Sequence, residues 1–142
     1  MSRPWLGRSR GLRERFLQWH RHHLPGWALA CDLDLVEYRR VEVEPGWCLY
    51  SPVALAEVVP FGAPLPGPRL PQLEVLDHLS RAAGVPAVVL EVTQDLARVR
   101  IRRLPDFRVL AEGGPEVYAA WLAEQHRRTL SPGGRAGACG AP

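Results

Sequence analysis

The chain has 142 residues, enough for one domain with a real core at the usual roughly 100–200 residues per domain. Hydrophobic residues make up 46% and charged residues 23%, a balance that excludes a disordered or fibrous chain, and no apolar run reaches the roughly 18 residues a membrane span needs. The net charge of +3 is mild, and all 18 basic residues are Arg beside 14 Pro and 13 Gly, the drift of a GC-rich genome, so arginine content alone does not specify a nucleic-acid partner.

Residues 1–8 read as a basic arm without the apolar core of a signal peptide, which points to the cytoplasm. Residues 9–23 are predicted as a helix: Ser9 is placed as its N-cap, and Leu12, Phe16, Trp19 and His23 share one face. Leu24-Pro25-Gly26 ends it. From Trp27 to Tyr38 the pattern is extended, with Trp27, Leu29, Cys31, Leu33 and Leu35 on one side and Asp32, Asp34, Val36 and Tyr38 on the other. Arg39 to Gly46 alternates charge with Val41 and Val43 and turns at Pro45-Gly46. Trp47 to Val59 returns as one or more strands, broken at Ser51-Pro52.

Phe61 to Pro71, with its prolines and glycines, is a loop. Pro71 opens a helix that Gly84 closes, with Leu73, Leu76, Leu79 and Ala83 along its apolar face. Val85 to Thr93 is a buried strand carrying Glu91 near its end, Ala97 to Leu104 is another strand, and a last helix covers about 115–130. Residues 131–142 form a Gly/Ala/Pro-rich tail expected to be disordered. Residues 9–130 are thus one α/β domain of the α+β type, in the order α-β-β-β-α-β-β-α, with sequential strands before the middle helix and a mixed sheet.

Carboxylates inside these apolar strands are the unusual feature. An ionised carboxylate is expensive to bury unless it is paired or bound to a cation. Asp32 and Asp34 lie two apart and share a face, and a strand paired alongside brings Glu57 next to them. Two or three oxygen ligands with open positions suit Mg²⁺ or Mn²⁺ and, with it, phosphodiester chemistry. The competing account pairs these acids with Arg39, Arg40 or Arg98.

Arg98, Arg100 and Arg102 alternate with Val99 and Ile101, so three guanidiniums project from one strand face. Such a row could follow a phosphate backbone, with Arg39 and Arg40 as further contacts, or keep an edge strand soluble. His20, His22 and His23 at a helix C-terminus suit capping better than metal binding. Cys31, Cys48 and Cys139 fit neither a zinc motif nor a disulfide framework, and Cys31 and Cys48 read as small core residues in a reducing compartment.

The stretches Trp27-Ala-Leu-Ala-Cys-Asp-Leu-Asp-Leu-Val-Glu-Tyr-Arg39, Pro52-Val-Ala-Leu-Ala-Glu-Val-Val59, Leu73-Glu-Val-Leu-Asp-His-Leu79 and Gly84-Val-Pro-Ala-Val-Val-Leu90 resemble the PD-(D/E)XK nuclease superfamily, above all its small phage and prophage members. The resemblance spans roughly residues 10–104 and implies a restriction-endonuclease-like fold. It places the family's metal-binding Asp on Asp34, with Asp32 second, and its metal-binding Glu on Glu57. The motif lysine falls on Val59, which has neither charge nor donor; Arg69 or Gln72, before and within the middle helix, would have to compensate. It further implies a cytoplasmic Mg²⁺- or Mn²⁺-dependent endonuclease, or an inactive relative retained as a binding module. The partner is nucleic acid, DNA ahead of RNA, with no membrane; a homodimer is compatible with it.

Overall fold

The computed structural model describes residues 4–30, 33–128 and 136–138. The chain divides into two units, residues 1–32 and 33–142. No helix among the described residues is long and apolar enough to cross a membrane.

In the first unit, helix α1 runs from Pro4 to His23. It therefore takes in most of the stretch expected as a basic arm, since Pro4 suits a first helical position and Leu and Arg are good helix formers. Phe16 stacks on Trp19 at 5.6 Å and Trp19 on His23 at 5.2 Å. The His23 Nδ1–H donates to the Trp19 carbonyl at 2.9 Å, which makes this histidine a cap on the helix's last turn. The strand expected from Trp27 does not form: Trp27 and Leu29 are 84% and 83% exposed, and regular strand begins only at Leu35. Alternation records which residues could share a face, but a strand exists only where a neighbour takes up its backbone hydrogen bonds.

The second unit contains β1 (Leu35–Glu44), β2 (Trp47–Pro60), a 3-10 turn (Gly67–Arg69), α2 (Leu70–Ala83), β3 (Ala87–Val92), β4 (Val99–Arg103), β5 (Val109–Gly113), α3 (Glu116–Arg128) and β6 (Ala136–Ala138). The sheet order is β1-β2-β3-β4-β5, and β6 pairs with the start of β2. β2 and β3 are parallel, joined through α2, and the other pairs are antiparallel. The result is the mixed α+β sheet that the sequence implies. Two strands rather than three precede α2, because β2 continues through Ser51-Pro52. Pro52 sits beside a bulge, where Glu37 pairs with Ala54 but Tyr38 with Pro52, and before β3 begins to pair at Leu55. A missing N–H is tolerated there. β5 was not foreseen, and β6 lies inside the stretch expected to be disordered.

Each helix of this unit covers one face of the sheet. Leu73 and Leu76 of α2 pack on Leu55, Val59, Ala87, Val89 and Leu104. On the opposite face Val117, Tyr118 and Trp121 of α3 pack against Ala56, Val88, Leu90, Val99 and Ile101. Burying each of the Val, Leu and Ile side chains among these stabilises the fold by about 1.5–3 kcal/mol. Gly46, at φ 82° in the β1–β2 hairpin, and Gly84, at φ 69° closing α2, occupy left-handed positions that other residues reach only at a cost.

Leu96 occupies the same region at φ 59° in the β3–β4 turn, with its side chain 61% exposed. A bulky L-residue there costs roughly 1–2 kcal/mol, and little packing offsets it. Leu96→Gly is expected to raise stability by about 0.5–1 kcal/mol after the extra chain entropy of glycine is subtracted. A urea midpoint that moves up at constant slope checks this, and a lower midpoint contradicts it.

Candidate two-acid site and arginine row

Asp34 immediately precedes β1, and Glu57 lies in β2. Leu35 pairs with Ala56 at the end of the β1–β2 register, so Asp34, one step before β1, and Glu57, one step further along β2, lie at the same end of this strand pair. Glu57 belongs to the face that α2 covers, since Leu55 and Val59 flank it there. The Val58 N–H donates to Asp34 Oδ2 at 2.8 Å, so this carboxylate also closes the end of the β1–β2 ladder. Glu57 is half-buried and Asp34 exposed. Asp32, the third expected ligand, lies outside the described residues.

Gln72 occupies the first turn of α2, one position before the buried Leu73, and Arg69 closes the preceding 3-10 turn; both are half-buried. Val59, where the resemblance would set a lysine, is 2% exposed and belongs to the core under α2. Its register partner across β3 is Glu91.

Glu91 is the residue that the sequence reading undervalued. It is 1% exposed, the one buried charged residue among those described. Its carboxylate accepts from Arg102 Nε at 2.6 Å, from the Gly62 N–H at 3.0 Å and from Arg100 Nη1 at 3.4 Å. Burial pushes its pKa up, but the Arg102 and Gly62 hydrogen bonds and the charges of Arg102 and Arg100 outweigh that and hold it below the ordinary value. An acid inside a buried strand, beside a strand whose arginines alternate, was the available signal: such a carboxylate requires cations within reach.

The three arginines do share one face, as their spacing requires, yet they are not an open phosphate track. Arg100 donates to Glu112 through Nε and Nη2, both at 3.2 Å, and Arg98 Nη2 donates to the same carboxylate. Arg102 also holds the Phe107 carbonyl at 2.9 Å. The Arg98 and Arg100 guanidiniums lie 4.6 and 4.4 Å from the centroid of the Phe61 ring, within cation–π range. Three cations therefore face two carboxylates, and a phosphate would have to compete with both.

Arg39, one of the expected nucleic-acid contacts, ties β1 to α3: its Nε donates to Ser51 Oγ at 2.9 Å and its Nη1 to the His126 carbonyl at 2.8 Å. Nearby, Tyr118 of α3 donates its O–H to Glu37 at 2.9 Å, and burial together with that bond raises the phenol's pKa. Glu37, Arg39 and His126 border an open cavity of about 340 Å³ lined by Val53, Leu122 and Ala123 as well. Arg40 is exposed on the other face of β1. Cys48 is fully buried and disulfide-bonded, where a free core thiol was expected; Cys31 and Cys139 lie outside the described residues.

No protein-family model, curated protein or solved structure matches the chain. Among the described residues no group of three or more His, Cys, Asp or Glu side chains is placed to hold a metal ion. The donor set for a divalent cation is thus at most two carboxylates, Asp34 and Glu57, and Asp34 already accepts the Val58 backbone hydrogen bond. Mg²⁺ binds through as few as one or two carboxylates when substrate phosphate completes the shell, so the pair fits a weak site.

Proposed function

We propose that this protein is a nuclease-like domain that engages nucleic acid without cutting it efficiently. The observation that carries the reading is that Asp34, bonded to the Val58 N–H just before β1, and Glu57 of β2 sit at the same end of one strand pair, with the core residue Val59 where the resembling nucleases need a lysine. The β2–α2–β3 parallel unit beside them supports the same family likeness. Mg²⁺ held by the two acids would offset the negative charge of a bound phosphate. The chain lacks, at the third position, the group that stabilises further charge as the bond breaks. Asp34 orients the end of the ladder and Glu57 presents the second acid.

The test measures binding and cleavage of labelled single- and double-stranded DNA and RNA, in Mg²⁺ and in EDTA, for wild type and Asp34→Asn. Asparagine keeps an acceptor for the Val58 N–H and removes the charge. Mg²⁺ is expected to raise the melting temperature of wild type, because a ligand bound only by the folded state stabilises it, and to leave Asp34→Asn unmoved. Wild type is expected to bind with little metal-dependent cleavage. Absence of binding to every polymer, or an identical Mg²⁺ response in both proteins, overturns the reading.

A further inference from the structure

The two edges of the sheet are treated differently by the sequence. β5 is short, five residues, and ends in Gly113. β1 is ten residues long, seven of them exposed, with no partner on its outer side among the described residues. It contains no proline, and Val36 and Tyr38 stand 47% and 64% exposed. An edge strand of this length leaves a row of backbone groups open to another strand, and its mixed charges, Arg beside Glu, restrict which strand can pair there rather than barring all of them.

We propose that β1 pairs with β1 of a second copy of this chain, antiparallel about a two-fold axis centred on Val41. This goes beyond the nucleic-acid reading and does not depend on it. The register follows from charge. An axis perpendicular to the sheet keeps each face on its own side, so only residues of the same parity oppose each other. Centring on Arg39, Arg40 or Glu42 sets a charge against its own copy. Centring on Tyr38 sets Asp34 against Glu42. Centring on Val41 opposes Arg40 with Glu42 twice, on the regular stretch before the bulge at Val43, with no like charges directly facing.

Arg40 and Glu42 are both exposed, and the Gly46 N–H donates to Glu42 Oε1 at 3.1 Å, which holds that carboxylate in place. Opposite charges directly across an antiparallel pair attract, and like charges there repel. A bulge at Val43, between the Glu42–Cys48 and Glu44–Trp47 pairs, twists the end of β1 and confines the contact to its middle. The buried area is therefore small, and the dimer is weak and concentration-dependent.

Sedimentation velocity over a concentration series tests this. Wild type is expected to dimerise at high micromolar concentration. Arg40→Glu and Glu42→Arg should each weaken the dimer at least about tenfold, since symmetry replaces both attractive pairs with repulsive ones. The double variant carrying both changes should recover wild-type association, and far-ultraviolet circular dichroism checks that each variant is folded. A wild type that stays monomeric throughout the series overturns the proposal. So does a dimer that either single variant leaves intact, or a double variant that fails to recover.

Discussion

Replacing Glu91 with Gln is expected to cost about 2–4 kcal/mol of folding stability. Removing one partner of a buried ion pair typically costs about 3–5 kcal/mol, because the remaining charge is stranded, and Arg100 and Arg102 soften this by reaching water. Glutamine keeps the volume and an acceptor for the Gly62 N–H, so the loss isolates the charge rather than the packing. The pH dependence has a definite sign. The Glu91 carboxyl, held below its ordinary value of 4.5, binds fewer protons in the folded than in the unfolded chain. Its contribution is therefore complete above that pH and is lost as pH falls through the lower folded value. Denaturant titrations from neutral to acid pH should show wild type losing stability on the acid side and Glu91→Gln losing less there. Equal stability of the two at neutral pH would mean that the arginines find other partners and that Glu91 is not the centre of the cluster.

This cluster also shows where the sequence was legible and where it was not. Strand periodicity correctly placed Arg98, Arg100 and Arg102 on one face, because side-chain direction in a strand is local. What those guanidiniums touch depends on which strand lies alongside. Glu91 of β3 and Glu112 of β5 came beside them only through pairing, and β5 itself is too short and too mixed in character to announce itself. The same limit explains Arg39, whose partner His126 is 87 positions away. α2 was readable almost to the residue because Gly84 and the Leu73–Leu76 spacing are local signals. The extended reading of 27–30 failed for the opposite reason: the alternation was there, but no strand among the described residues pairs with it. The Asp34–Glu57 placement stands between these cases. Alternation suggested a shared face, and only the β1–β2 register showed that Asp34 and Glu57 lie at the same end of one strand pair.

Placing a lysine at Val59 is expected to have opposite effects on stability and on activity. Val59 is buried under α2, so Val59→Lys inserts an ammonium into a core of Leu55, Leu73 and Leu76, at an expected cost of about 2–4 kcal/mol. Its register partner Glu91 limits the penalty, although that carboxylate already serves two arginines. On the nuclease-like reading, the same ammonium lies two residues from Glu57 on one face and restores the missing positive charge. One such group is typically worth about 2.7–4 kcal/mol in the transition state, or roughly a hundred- to a thousandfold in rate. Val59→Lys should therefore melt lower yet nick DNA in Mg²⁺ faster than wild type. Val59→Met, apolar and unbranched, should do neither beyond a small packing loss. The wild-type rate is a second, independent check that needs no variant to fold. Wild type cutting in Mg²⁺ as fast as these numbers allow the lysine variant would show that another residue already supplies the charge. A folded Val59→Lys that remains inert would remove the catalytic ancestry from Asp34 and Glu57 and leave them as the closing pair of a strand ladder.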